Sequence, residues 1–244
     1  MKAIRKLLFK ILGLEGYLRL VSRIYLWLIE NGFLQKKYPE LFFLKTIIKP
    51  GFYCIDIGAN LGYYSTFLSK YAGSNGKVYA VEPIPLFGRI WKDNVTLSMK
   101  KNLELLPYAL GPENKMVTLS MPMVDGVLHH GMTKVSDQKN ENAVSEFEAP
   151  MKNPDELFSN ITKLNFIKID VEGYEHLVIG NMMQTIQKFK PMIQAELGGE
   201  ENRRKVIELL TSAGYKFAVL KNNELKDATA YDVQHHQSDF YFTN

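Results

Sequence analysis

Apolar residues recur at helical spacing along the first fifty positions and then give way to short β-branched runs. Leu8, Ile11 and Leu12 share one helix face, which Gly13 and Gly16 interrupt. A second helix follows, with one stripe of Leu18, Val21, Tyr25 and Leu28 and another of Leu20, Ile24 and Trp27. A helix apolar on two sides packs on a domain or faces a partner. Pro39 suits the first turn of a further helix running to about Ile48, and "KPG" at 49–51 closes it. From Phe52 the pattern changes. "FYCIDIG", "KVYAVEP", "LELLPYAL", "LNFIKID" and "PMIQAEL" read as strands. Helices fall between them at "LGYYSTFLSKYAG", "PLFGRIWKDNVTLS" and from about Tyr174 to Phe189, and "ENRRKVIELLTSAG" follows the fifth strand. "MVTLSMP" and "SEFEAPM" predict an inserted hairpin at about 115–150, and "NPDELFSNI" a short helix. "YKFAVL" and "SDFYFTN" close the chain with no helix between them, which predicts an antiparallel pair. Alternating strands and helices predict right-handed βαβ units around a doubly wound, mostly parallel seven-stranded sheet whose last strand is antiparallel. The chain thus divides into a helical N-terminal extension, residues 1–49, and an α/β domain, residues 50–244.

The composition, 46% hydrophobic and 23% charged over 244 residues, supports a real core and excludes disorder and fibres. A net charge of +4 does not by itself argue for nucleic acid, and none is expected as a partner. Lys10 interrupts the apolar core a signal peptide would need. The run "IYLWLI" falls far short of the roughly 20 apolar residues of a membrane span. Cys54 is the single cysteine, so no internal disulfide forms. A soluble protein of a reducing, cytoplasmic compartment is expected. The basic, apolar N-terminal helices leave peripheral membrane contact and a dimer contact open beside simple packing.

"DIGANLGYY", residues 56–64, lies where the first strand hands over to the first helix. In a doubly wound sheet, ligands bind outside such strand ends. Gly58 and Gly62 permit a tight turn, and Glu82 ends the second strand about 20 residues on, where a carboxylate accepts from a ribose diol. Ala59 and Asn60 fill the turn, so the dinucleotide fingerprint G-x-G-x-x-G is not met. Asp56 would repel a diphosphate and suits a sulfonium or ammonium. The charges therefore favour S-adenosylmethionine over a nicotinamide cofactor.

At this point the chain resembles a known family. "YCIDIGANLGYYSTFLSKYAGSNGKVYAVEPIP", then "KDNV", "PYALG", "FIKIDVEGYEHLVIGN" and "KPMIQAELGGE", are similar in order to the motifs of the FkbM family of class I S-adenosylmethionine-dependent methyltransferases, over roughly residues 50–200. The resemblance implies a Rossmann-like class I methyltransferase fold, with residues 50–244 as the methyltransferase domain. It also implies O-methylation of a hydroxyl on a sugar, glycan or secondary metabolite. By it, Asp56 and Gly58 line the methionine side, Glu82 holds the ribose, and Tyr108 or Ala109 lies near the adenine. Asn60, Gly62, Pro83 and Asp170 complete the expected cofactor set. A nicotinamide oxidoreductase and a non-catalytic nucleoside-binding module remain as alternatives.

"IKIDVEGYEHL" carries the second set. Asp170 and Glu172 follow the fourth strand and Glu196 ends the fifth, so three carboxylates converge on one crevice, with Lys168 just before. They would serve as a general base, as ligands of a divalent metal, which is open but not expected, or as caps of the helix near Tyr174. His176, one turn into that helix, is a further candidate base. His129 and His130 are adjacent, so their side chains diverge. The segment "GMTKVS" departs from the family's glycine- and serine-rich stretch and leaves Thr133 and Ser136 without a role. His235 and His236 are expected to be solvated. The acceptor and the oligomeric state are not legible.

Overall fold

The structure is a computed structural model that describes residues 2–97, 101–124, 127–128, 134–136 and 143–244. Helix α1 (Lys2–Glu30) bends at Gly13, whose φ of 66° and ψ of 179° leave helical geometry. Helix α2 (Pro39–Ile47) follows. The alternating region then runs β1 (Tyr53–Ile57), α3 (Tyr63–Ala72), β2 (Lys77–Val81), α4 (Pro85–Leu97) and β3 (Leu103–Leu106). A second group comprises β4 (Ala109–Leu110), β5 (Lys115–Val124), β6 (Val127–Leu128), β7 (Lys134–Ser136) and β8 (Ala143–Lys152). The remainder is α5 (Pro154–Leu157), β9 (Phe166–Ile169), α6 (Glu175–Gly180), α7 (Met183–Phe189), β10 (Met192–Glu196), α8 (Glu200–Ser212), β11 (Lys216–Lys221), β12 (Glu224–Asp227), α9 (Ala230–His235) and β13 (Asp239–Thr243).

The main sheet has the order β12-β11-β13-β10-β9-β1-β2-β3. Strands β10, β9, β1, β2 and β3 are mutually parallel, and β13 runs antiparallel between β10 and β11. Strand β1 is central and β9 lies beside it, and almost every residue of both is buried, as a parallel strand covered on both faces requires. The register sets Asp56 beside Lys168, Lys168 beside Gln194 and Gln194 beside Tyr241. A polar row thus crosses four strands on one face of an otherwise apolar sheet.

Three details depart from the sequence reading, each with a local cause. The expected strand "LELLPYAL" is split, because Pro107 has no N–H to donate: β3 ends at Leu106, and β4 joins β8 in the second sheet. The helix expected from Tyr174 to Phe189 is two helices, broken near Gly180 and Asn181, where the Asn181 side chain donates back to the Leu177 carbonyl. A hairpin strand and a short helix intervene before the last strand. Asn222 and Asn223 both adopt positive φ, 53° and 61°, as a two-residue hairpin demands. Thr229 and Asp232 form a capping box at the start of α9. The sheet therefore has eight strands, the seventh and eighth places being filled by this late hairpin. Strands β5 and β8 pair antiparallel along most of their length, with a bulge at Met121/Pro122.

Helix α1 lies against α4. Tyr17 and Leu18 pack with Leu61, Phe87, Ile90 and Leu119, while Leu26 and Ile29 pack with Leu41, Leu44 and Phe67. Around that contact Glu15 accepts from Arg89 (2.9 Å) and Arg19 (2.7 Å), and Arg19 also pairs with Asp93. Replacing Leu18, which is 2% exposed, by alanine should cost about 2–5 kcal/mol. Denaturant unfolding should remain one transition at a lower midpoint. A separate early step for the helix would show that α1 does not share the core.

Candidate active site

Two clefts open at the carboxyl ends of β1, β2, β9 and β10. The first holds about 730 Å³ of open space, mouth included. Its floor is the turn after β1, where the Gly58 and Ala59 N–H groups both donate to the Val81 carbonyl at 3.0 Å. Gly58 has φ 81°, and a Cβ there would stand 1.8 Å from the Asp170 carbonyl oxygen. Only glycine fits, because the loops after β1 and β9 cross at this point. Asn60, at φ 49°, donates its N–H to Glu82 Oε2 at 2.8 Å, and the Ile84 N–H donates to Oε1 at 2.9 Å. Two backbone donors thus aim the buried Glu82 carboxylate. Burial outweighs them and pushes its pKa up to about 7. Val81, Ile84, Phe87 and Leu119 give the lining an apolar surface, and Pro83, Tyr108 and Ala109 also line it. Asn60 Oδ1 is buried with no hydrogen-bond partner.

The second cleft, about 1,070 Å³ with its mouth, lies between those strand ends and the N-terminal helices. Tyr25, Ile29, Tyr38 and Leu41 wall one side; Tyr63 and Tyr64 from α3 wall another. Its floor is ionic. Lys168 is 2% exposed, 3.3 Å from Asp239 and 5.0 Å from the centre of the Tyr64 ring. Gln194 also donates to Asp239, at 2.5 Å. Asp56, Asp170, Glu196 and Glu40 complete the lining. Burial raises Asp56 to about 6, against the hydrogen bond from Ser65 that lowers it. Burial also raises Asp170, against the Lys168 charge. Glu196 is pushed up to about 7, by burial first and then by Asp170. The nearby carboxylates hold Lys168 protonated, above the usual ammonium range, although burial opposes this. Gly58, Asn60 and Asp170 line both clefts, so the two spaces meet there.

The profile described as the methyltransferase FkbM domain matches residues 56–217. The chain belongs to the FkbM methyltransferase family. It has the class I S-adenosylmethionine-dependent methyltransferase fold, and that membership removes the oxidoreductase alternative. Similar solved structures include a protein described as a candidate rRNA methylase from Clostridium thermocellum, 12% identical over 84% of this chain and 91% of that one, with a TM-score of 0.51. The precorrin-6y C5,15-methyltransferase from Geobacter metallireducens GS-15 is 14% identical over 82% and 83%, at 0.47. Methyltransferase FkbM from Methylobacillus flagellatus KT is 14% identical over 81% of this chain and 48% of that one, at 0.46. No curated protein gives a significant match.

In this FkbM methyltransferase the residues expected on the cofactor separate into three places. Gly58, Asn60, Glu82, Pro83, Tyr108, Ala109 and Asp170 line the first cleft. Asp56 lines only the second, where Ser65 joins it to the Trp91 indole N–H, 2.8 Å from the serine oxygen. Gly62 lines neither: a Cβ there would meet Trp91 Cδ1 at 2.9 Å, so it serves packing between α3 and α4.

The expected catalytic set separates too. Asp170 and Glu196 line the second cleft; Glu172, exposed at φ 54°, lines only the first. His176 lines neither cleft, and its N–H and Nδ1 both face Asn202 Oδ1, at 3.1 and 2.9 Å. The helix that starts at Glu175 has no side-chain cap from Asp170 or Glu172; Glu175 itself bonds the loop before it. It accepts from the Val171 and Gly173 N–H groups and from Asn202, and so orders the loop after β9. Two acids of the second cleft escaped the sequence reading. Asp239 begins the antiparallel β13, whose register sets it beside Glu196 at the end of β10. A terminal acid at the start of a reversed last strand was the available signal. Glu40 comes from α2 and has no sequence signal. Among the described residues, no group of three or more His, Cys, Asp or Glu is placed to hold a metal ion. His129, His130 and Thr133 lie outside the described residues, as does the Ser136 side chain. His235 is exposed and stacks on Tyr231, whereas His236 is half-buried against Phe240 rather than solvated.

Gly58→Ala should displace the Asp170 carbonyl or the β1 turn. It should lower stability by more than about 2 kcal/mol, from left-handed strain plus overlap. It should also abolish binding of S-adenosylhomocysteine. A variant with native stability and ligand affinity would show that the crossing is looser than 1.8 Å implies.

Proposed function

We propose that this enzyme transfers a methyl group from S-adenosylmethionine to a hydroxyl of a polyhydroxylated small molecule, of sugar or glycan type, bound in the second cleft. The observation that carries the reading is that Gly58, Asn60 and Asp170 line both clefts, so donor and acceptor would meet at Asp170.

The first cleft fits the nucleoside. Glu82 is aimed by two backbone N–H groups and retains lone pairs for a ribose diol. Val81, Ile84, Phe87 and Leu119 offer apolar surface to a base. The unpartnered Asn60 Oδ1 is an acceptor for a donor group such as the ammonium. The bound cofactor supplies an electrophilic methyl on a sulfonium, and the Asp170 carboxylate favours that positive charge.

The second cleft fits a hydroxyl-rich acceptor. Asp239, Glu196 and Glu40 would accept hydrogen bonds from hydroxyl groups, and Tyr25 and Tyr38 line the same space. Glu196 is the base of choice, because a pKa near neutrality suits proton removal at working pH. Lys168 holds the carboxylates in place and stays charged. Residues 1–49 serve as a cap over this cleft. Alignment of the two reactants supplies much of the rate in such a transfer. An amine acceptor is the second reading, favoured by the excess of carboxylates over ammonium groups around Lys168.

Glu196→Gln and Asp170→Asn, assayed with labelled cofactor against a panel of sugars and glycans, should each lower turnover by about 10²–10⁴-fold. S-adenosylhomocysteine affinity should change little in Glu196→Gln. In the wild type at saturating cofactor, where ionisation of Glu82 no longer limits binding, kcat/KM for the acceptor should rise as pH increases through about 7, because the base must be ionised, and Glu196→Gln should lose that limb. Retained turnover with an unchanged pH profile would remove Glu196 from the chemistry.

A further inference from the structure

Helix α1 is apolar on two sides, and only one side is covered. Its inner face, including Leu18, Ser22, Leu26 and Ile29, is buried against the domain. Its outer face leaves Leu20, Ile24 and Trp27 open to solvent, within one third of the helix circumference. Phe33, beyond the helix end, stacks on Trp27 at 5.9 Å between ring centres and extends the patch. Before the bend at Gly13, Leu7 and Ile11 are also exposed, Ile11 by 68%. The charge follows the same segment. Residues 1–37 hold eight Lys and Arg against two Glu, a net of +6, whereas the whole chain carries +4. Lys10 stands beside Ile11, Arg23 beside Ile24, and Lys36 just past Phe33, all exposed.

We propose that this outer face of α1 docks on an anionic lipid bilayer, its apolar side chains entering the headgroup boundary and its basic residues pairing with lipid phosphates. An apolar stripe flanked by Lys and Arg on a helix too polar to span a membrane is what such a surface needs. A second copy of the chain is a poor occupant, because an isologous contact would set +6 against +6. Nucleic acid would use the charge but leave the large apolar side chains exposed. Tyr25 and Ile29 on the inner side of α1 line the second cleft, so docking would hold that cleft about one helix diameter, 10–12 Å, from the membrane.

The test uses the full chain without cofactor or acceptor, so its outcome is independent of the methyl-transfer reading. Sedimentation at 150 mM salt with phosphatidylcholine vesicles is compared with vesicles that are 30% phosphatidylglycerol. Binding should be at least about 10-fold tighter to the anionic vesicles, since each basic residue at such a surface contributes about 5-fold. Trp27 is 57% exposed and Trp91 4%, so the tryptophan emission should shift to the blue on binding. That shift should vanish in Trp27→Phe, which should still sediment with vesicles. Ile24→Asp should weaken binding about 10-fold or more while leaving the unfolding midpoint unchanged. No sedimentation, equal sedimentation with neutral vesicles, or a dimer in solution that Ile24→Asp disperses would each overturn the proposal.

Discussion

Two loops share the space at Gly58. The Asp170 carbonyl occupies the place where any other residue would put its Cβ, and that contact locks the end of β9 over the turn after β1. Everything in the candidate site hangs on this crossing. It brings Asp170 and Asn60 to the lining of both spaces, and so joins the first, largely apolar cleft to the ionic cleft. The Gly58 turn is in turn held by Val81 and feeds Asn60, whose N–H aims Glu82. One backbone approach therefore sets the positions of residues from three strands.

The ionic cleft is built on the polar row that crosses the sheet. Asp56, Lys168 and Gln194 stand side by side because their registers match, and Asp239 closes the group from the antiparallel strand. One buried ammonium serves several carboxylates there. Burial raises Asp56, Asp170 and Glu196 first, and the neighbouring carboxylates add to it against the Lys168 charge. Tyr25 from α1, Tyr38 from the turn between α1 and α2, and Tyr63 and Tyr64 from α3 line the same cleft.

Local patterns carried much of this into the sequence. The alternation of short apolar runs and amphipathic helices gave the central parallel strands, and "DIGANLGYY" with Glu82 gave the first cleft. Residues whose placement depends on register were not legible in the same way. Asp239 enters the site only because β13 is reversed beside β10, and Glu40 only because α2 folds over the strand ends. The acids of "IKIDVEGYE" could not be sorted by spacing. Glu175, the last of them, turns inward and accepts three hydrogen-bond donors, leaving Asp170 to both clefts and the exposed Glu172 to the first. The late hairpin had a signal in its paired asparagines, whose shared left-handed geometry the strand pattern alone does not display.

The most direct measurement is calorimetric titration of S-adenosylhomocysteine into the wild type and into Glu82→Gln, at pH 6 and pH 8. If the first cleft holds the nucleoside on Glu82, the wild type binds more tightly at pH 8, because its carboxylate, raised to about 7, is ionised there and largely protonated at pH 6. Glu82→Gln should bind at least about 10-fold more weakly at pH 8, the loss expected for hydrogen bonds to a charged group, and should show little dependence on pH. Equal affinity in the two proteins, or tighter wild-type binding at pH 6, would contradict the assignment of the first cleft.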